Sequence, residues 1–195
     1  SSLSHPKYKI YRRDRKKGAG GLLVYIRISD NFSVIRRKKF EPENIETICL
    51  EVKNGNSSWF NISAVYLSPN KTNPTEFIQD LSCYIESIYR LRHEILLLGD
   101  FNFDQLKPHP GFTDLCEQFC LTNTITQPTR VTSTSSTLLD LILTNQENRF
   151  AYSGCLHLGL SDHDLIFTIR KNKLPRPTPR FISYRSMKNF DQQLF

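Results

Sequence analysis

The sequence predicts a mixed α/β layered fold, on three observations. Two alternating segments joined by a turn form an early hairpin, two segments with helical spacing lie between strands, and the chain finishes strand, loop, strand. The order does not alternate βαβα, which argues against a plain doubly wound parallel sheet. With 195 residues, 38% of them hydrophobic, there is material for one substantial core rather than two.

Residues 1–20 are polar and basic, and the first strand reads from Gly21 to Ile28. Thr47–Val52 and Trp59–Tyr66 are the hairpin strands, with the turn-forming Asn54-Gly55-Asn56-Ser57-Ser58 between them. A loop from Leu67 to Asn73 leads into a helix with a legible start: Asn73 as cap, Pro74 in the first turn, Glu76 three residues after the cap. Phe77, Leu81, Tyr84 or Ile85, and Ile88 recur at helical spacing and give it one buried face. Leu96–Leu98 is a strand too uniformly apolar to have a wet face. Phe112, Leu115, Cys116 and Phe119 mark a second helix, and Leu138–Leu143 and Leu165–Ile169 read as later core strands. Residues 1–173 form one domain, and the Pro-rich stretch that begins at Leu174 opens a linker tail, 174–195.

The net charge is +7, concentrated in the runs Arg12–Lys17, Arg36–Lys39 and Arg170–Lys173, a field that attracts polyanions. Solvated loops that aid solubility would carry the same charge. No apolar run approaches the roughly 20 residues needed to span a bilayer, so a soluble intracellular protein without membrane contact is expected. The five cysteines form no CxxC pair and sit mostly in apolar stretches, as reduced core thiols do. The sequons at Asn31, Asn56, Asn61 and Asn70 then carry no meaning. Gly18-Ala19-Gly20-Gly21 is no phosphate loop, because it precedes a strand and no Gly-Lys-Ser/Thr follows. His5, His93, His109 and His157 share no ligand spacing and read as surface or turn residues.

Chemistry is expected where carboxylates interrupt apolar strands. Gly99-Asp100-Phe101-Asn102 follows Ile95-Leu96-Leu97-Leu98, so an acid and an amide emerge where a buried strand ends. Asp140 shares a face with Leu138 and Ile142, where an unpaired carboxylate costs several kcal/mol. Either Asp140 caps a turn or it has a partner, and His163 is the best candidate, since an Asp on one ring nitrogen leaves the other to donate to an anion. Asp162 and His163 begin the last strand as Asp100 and Asn102 end an earlier one. Meeting at one edge, three carboxylates, an imidazole and an amide would suit Mg²⁺ or Mn²⁺ and the stabilisation of a pentacovalent phosphate. Tyr66, at a strand end, either reaches that phosphate or simply packs, as most Tyr at such positions do.

Gly99-Asp100-Phe101-Asn102, Thr137–Asn145 around Asp140, and Leu160-Ser161-Asp162-His163, in this order, resemble the endonuclease/exonuclease/phosphatase superfamily. More narrowly they are similar to the apurinic-type endonuclease domain that precedes reverse transcriptase in non-LTR (LINE-like) retrotransposons. Arg12-Arg13-Asp14-Arg15 before Gly20-Gly21, and Tyr66-Leu67-Ser68-Pro69, resemble that subgroup too, and Ile182–Arg185 its connector toward the polymerase.

The resemblance implies a DNase I-like four-layer αββα sandwich and Mg²⁺-dependent (or Mn²⁺-dependent) phosphodiester cleavage by activated water. Asp100 would orient or deprotonate the water, with Asn102 holding it. Asp140 would pair with His163, which stabilises the phosphate, and Tyr66 would touch the scissile group. Asp162 would lie beside the metal, and Thr129, Arg130 and Ser161 would contact substrate. DNA is the implied partner, with a C-terminal reverse transcriptase in the parent protein and a location that can include the nucleus.

One departure stands against these matches. The family begins with an Asn-bearing strand and a second strand ending in the principal metal-ligand Glu, and neither is found before Gly20-Gly21; Glu41, Glu43 and Glu46 lie after it. The chain therefore reads as N-terminally incomplete, with apolar sheet edge exposed and activity impaired. The alternative is a catalytically inactive, basic nucleic-acid-binding remnant; a small-molecule phosphatase of the same superfamily is a third reading, which leaves the basic charge without a use.

Overall fold

The computed structural model describes residues 3–15, 20–68, 73–107 and 109–172. The tail 174–195, Lys16, Lys17, Gly18, Ala19, the sequon at Asn70 and Lys173 lie outside them. The strands are β1 (Tyr8–Asp14), β2 (Gly21–Arg27), β3 (Phe32–Arg36), β4 (Glu46–Asn54), β5 (Phe60–Tyr66), β6 (Glu94–Asp100), β7 (Thr122–Asn123), β8 (Arg130–Val131), β9 (Ser136–Thr137), β10 (Asp140–Thr144), β11 (Phe150–Leu156) and β12 (Leu165–Arg170), with helices α1 (Pro74–Tyr89) and α2 (Pro110–Gln118).

Six strands make the central sheet in the order β3-β4-β5-β6-β10-β7. β4 and β5 are the anticipated hairpin, while β5 and β6 run parallel with α1 as their crossover. Side-chain alternation divides the sheet into two faces. Cys49, Val65, Ile95, Leu97, Leu141 and Leu143 pack with Phe77, Leu81, Ile85 and Ile88 of α1 and with Phe112 and Leu115 of α2. Ile48, Leu50, Val52 and Phe60 face the other way, onto Leu22, Val24 and Ile26 of β2. The α1 start is as the sequence indicates: the Asn73 side chain accepts from Thr75 N–H at 3.1 Å and donates to Glu76 at 3.1 Å.

Several elements differ from the sequence reading. β1 forms inside the basic N-terminal segment because its backbone pairs with β2 along seven residues, and only Tyr11 of it is buried. β3 and β11 arise in the same way, as partners of β4 and β12. β12 is not a core strand: Leu165 and Ile169 are 47% and 53% exposed, on a separate two-stranded sheet. The strand expected from Leu138 begins at Asp140, because the Leu138 and Leu139 carbonyls accept from Gln105 and Phe101, in and just after Gly99–Asn102. Three of the four expected layers are seen among the described residues, with the hairpins β1–β2 and β11–β12 in place of one continuous second sheet. Of the cysteines, all free, Cys49 is buried and Cys83 and Cys120 are exposed, so the core-thiol reading holds for few of them. Asn61 is fully buried, bonded to Cys49 and Ser63, which removes its sequon from any surface role. No helix among the described residues is long and apolar enough to cross a membrane.

Candidate active site

Strand register assembles the site. Glu46, Tyr66, Asp100 and Asp140 are successive neighbours across β4, β5, β6 and β10, so all four project from the same face at one end of the sheet. The row before it, Ile48, Ala64, Leu98 and Ile142, is apolar, so the acids stand where the core stops.

Gly99 makes the strand end possible. Its φ is +141°, and a Cβ there would overlap the Val65 carbonyl oxygen, so the two strands approach closely only because the side chain is missing. The chain then turns through Asn102 at φ +46°. Asp100 Oδ1 accepts the Asn102 N–H at 2.8 Å, while Asn102 Nδ2 donates to Leu67 O at 2.7 Å and to Asp100 Oδ2 at 3.2 Å. This short turn fixes carboxylate and amide as one unit.

His163 Nδ1 meets Asp140 Oδ2 at 2.8 Å. An ionised carboxylate only accepts, so Nδ1 carries the hydrogen and Nε2 remains for another group. Ser161 holds the turn that presents the ring: its hydroxyl donates to His163 O and accepts from His163 N. One ligand atom from each of Asp100, Asp140 and His163 falls within 4.8 Å of the others. Burial pushes the Asp100 carboxyl upward, the Asn102 N–H pulls it back and the neighbouring Asp140 charge pushes it up again, leaving it above the ordinary carboxylate range. Hard oxygen donors carrying that electrostatic excess fit a divalent cation, which would relieve it.

Four expected residues sit differently. Asp162 stands outside this cluster: it is exposed, its Oδ2 accepts from Arg130 Nε at 2.7 Å, and that bond holds its carboxyl below the ordinary range. Arg130 is thus engaged by Asp162. Ser161 serves the His163 backbone. Thr129 cannot touch substrate, because it is fully buried and its hydroxyl is spent inside the protein. It donates to Asp140 Oδ2 at 2.7 Å and accepts from the N–H of Leu139 at 3.1 Å and Asp140 at 2.9 Å.

The sequence reading missed Arg15. Its guanidinium lies over the Tyr66 ring at 4.3 Å and bonds Glu46 at 2.5 Å, so Tyr66 is clamped against a cation. The second Glu46 oxygen, Oε2, is buried with no hydrogen-bond partner among the described residues. Only the tertiary fold joins these groups, since Arg15 and Glu46 are 31 residues apart.

Comparison with known proteins places the fold. Similar solved structures include the endonuclease domain of TRAS1, a telomere-specific non-LTR retrotransposon, at 12% identity, covering 87% of this chain and 83% of that one with a TM-score of 0.68. The Xenopus laevis APE2 catalytic domain gives 15% identity, 88% and 80% coverage and a TM-score of 0.53. D. rerio TDP2 complexed with single-strand DNA product gives 11%, 83% and 76%, and 0.55. The fold is therefore that of the DNase I-like endonuclease domains. No curated protein matches the chain. The sequence itself matches the model of the endonuclease-reverse transcriptase family over residues 60–167, a span that holds Tyr66, Asp100, Asn102, Asp140 and His163, and the chain belongs to that family.

Proposed function

We propose that this protein is a divalent-metal-dependent phosphodiesterase that nicks DNA by attack of an activated water, in the service of a reverse transcriptase. The observation that carries the reading is the Asp140–His163 pair set beside the Asp100–Asn102 turn. Asp100 and Asp140 would hold Mg²⁺ or Mn²⁺, which when bound offsets charge developing on the phosphate and eases deprotonation of water. Asp100 takes the proton of the attacking water, and Asn102 orients that water. His163, its ring fixed through Nδ1, presents Nε2 to a phosphate oxygen and, when protonated, donates to the charge that builds there. Tyr66, held by Arg15, borders the scissile group. The basic surface, with net charge +7, favours a polyanionic substrate.

Relaxation of supercoiled plasmid in Mg²⁺ tests this. Asp100→Ala or His163→Ala should slow nicking by roughly 10²- to 10⁴-fold, the scale of a positioned acid or base. Nicking that survives both changes refutes the assignment. Salt-sensitive DNA binding without cleavage in Mg²⁺ or Mn²⁺ would establish the inactive binding protein instead.

A further inference from the structure

The strands that carry the acidic row at one end of the sheet border a second concave site at the other. A cavity of about 480 Å³ opens where β5 and β6 begin and β10 ends, lined among others by Trp59, Tyr89, Arg92, Asn145, Gln146 and Arg149. That volume lies in the range of small-molecule sites. β6 runs from Glu94, at the cavity, to Asp100, so the two sites are separated by about 20 Å of extended chain.

We infer that this cavity binds one nucleotide unit of single-stranded nucleic acid, its base stacked on Trp59 and its phosphate held by Arg92 and Arg149.

The charge of the lining supports an anion. Glu94 is its only acid, and both carboxylate oxygens are taken by Arg170, at 2.7 and 2.8 Å. Arg149 keeps one longer contact to Glu94, 3.3 Å, and is half exposed. Arg92 is exposed and forms no ion pair among the described residues. Lys53 lies over the Trp59 ring at 5.8 Å, a further cation beside that aromatic group. Arg92, free of ion pairs among the described residues, and Arg149, which shares Glu94 with Arg170, are guanidinium donors of the kind a phosphate needs.

The aromatic groups point to a base as well as a phosphate. Trp59 is the single tryptophan of the protein and is half-buried. Tyr89 stands on the same cavity, braced edge-on against Phe119 at 5.5 Å. Asn145 accepts the Ile95 N–H at 2.8 Å, which fixes its amide and leaves its NH₂ to donate to a base edge. Aromatic faces set among cations are how proteins hold single strands without reading sequence. A bare phosphate would use the arginines and leave Trp59 idle. The choice of nucleic acid over another aromatic anion rests on the nuclease reading.

Because Trp59 is the only tryptophan, its fluorescence reports this cavity directly. Titration of the whole chain with an eight-residue oligo(dT) should give a saturable quench, dTMP a weaker one and inorganic phosphate none. Arg92→Ala and Arg149→Ala should each weaken oligo(dT) binding by roughly 5- to 10-fold and flatten its logarithmic salt dependence by about 0.7. Arg92→Glu, at an exposed position, should abolish the quench without altering the melting temperature. Asp100→Ala should leave it intact, so the loss of nicking and the loss of this site are separate results. No saturable quench, an equal quench by inorganic phosphate, or a quench indifferent to all three arginine variants would overturn the inference.

Discussion

Replacing Thr129 by valine separates a polar clamp from packing. The hydroxyl is fully buried and makes three hydrogen bonds, to Asp140 Oδ2, Leu139 N–H and Asp140 N–H. Valine occupies nearly the same volume, so little packing is lost, but two buried N–H groups lose their acceptor at about 1–3 kcal/mol each. The expected loss is about 2–5 kcal/mol, out of a total of roughly 5–15 for a domain. For a chain of this length that lowers the melting temperature by roughly 5–15 °C. Thr129→Ser keeps all three bonds and gives up one methyl, about 1 kcal/mol. Urea denaturation of the two variants measures the difference, with equal slopes showing that only stability has changed. Nicking should fall further in the valine variant than its folded fraction accounts for, because Asp140 is no longer held for His163. A valine variant as stable and active as the serine one would refute the clamp, and a serine variant with raised KM and unchanged stability would restore a substrate contact.

Two more outcomes follow from the same turn and sheet edge. Gly99→Ala forces a Cβ into the Val65 carbonyl at φ +141°, and should cost about 3 kcal/mol or more, seen as a loss of soluble folded protein or a sharp drop in melting temperature. Burial, with the Asp140 charge beside it, holds the Asp100 carboxyl above its ordinary range, so the folded state favours the protonated form. Ionised Asp100 therefore costs stability at neutral pH, and the cost fades as pH falls through the raised pKa. Asp100→Asn should raise metal-free stability at pH 7, with the gap to wild type closing in acid, while nicking is lost. Thermal melts across pH measure this; a variant less stable at pH 7, or a gap that widens in acid, would contradict it.

What the sequence disclosed and what it hid divides along physical lines. The start of α1 was legible because its cap, Pro74 and Glu76 act within one turn. The Asp140–His163 pair was legible because a carboxylate beside Leu138 and Ile142 demands a partner, and few residues could serve. β1, β3 and β11 were not, since each is held by backbone pairing to a neighbour rather than by its own apolar pattern. Leu165–Ile169 misled for the opposite reason: its side chains are apolar, yet the hairpin leaves half of them exposed. Thr129 and Asp162 were named for substrate and metal contact, whereas only coordinates show that the one is fully buried and the other bound to Arg130 outside the Asp100–Asp140–His163 cluster. Arg15 and Glu46 could be joined only by the fold.

The central claim is that Asp140 acts through His163 to cleave a phosphodiester, and a double-mutant cycle on the single-turnover nicking rate tests it most directly. Wild type should nick plasmid in Mg²⁺ and stop on chelation. His163→Ala and Asp140→Asn should each cost roughly 10²- to 10⁴-fold, and the double variant should be little slower than the worse single one, as for groups that act as a unit. Losses that multiply, or a wild-type chain that binds DNA and never cuts it, would contradict the account.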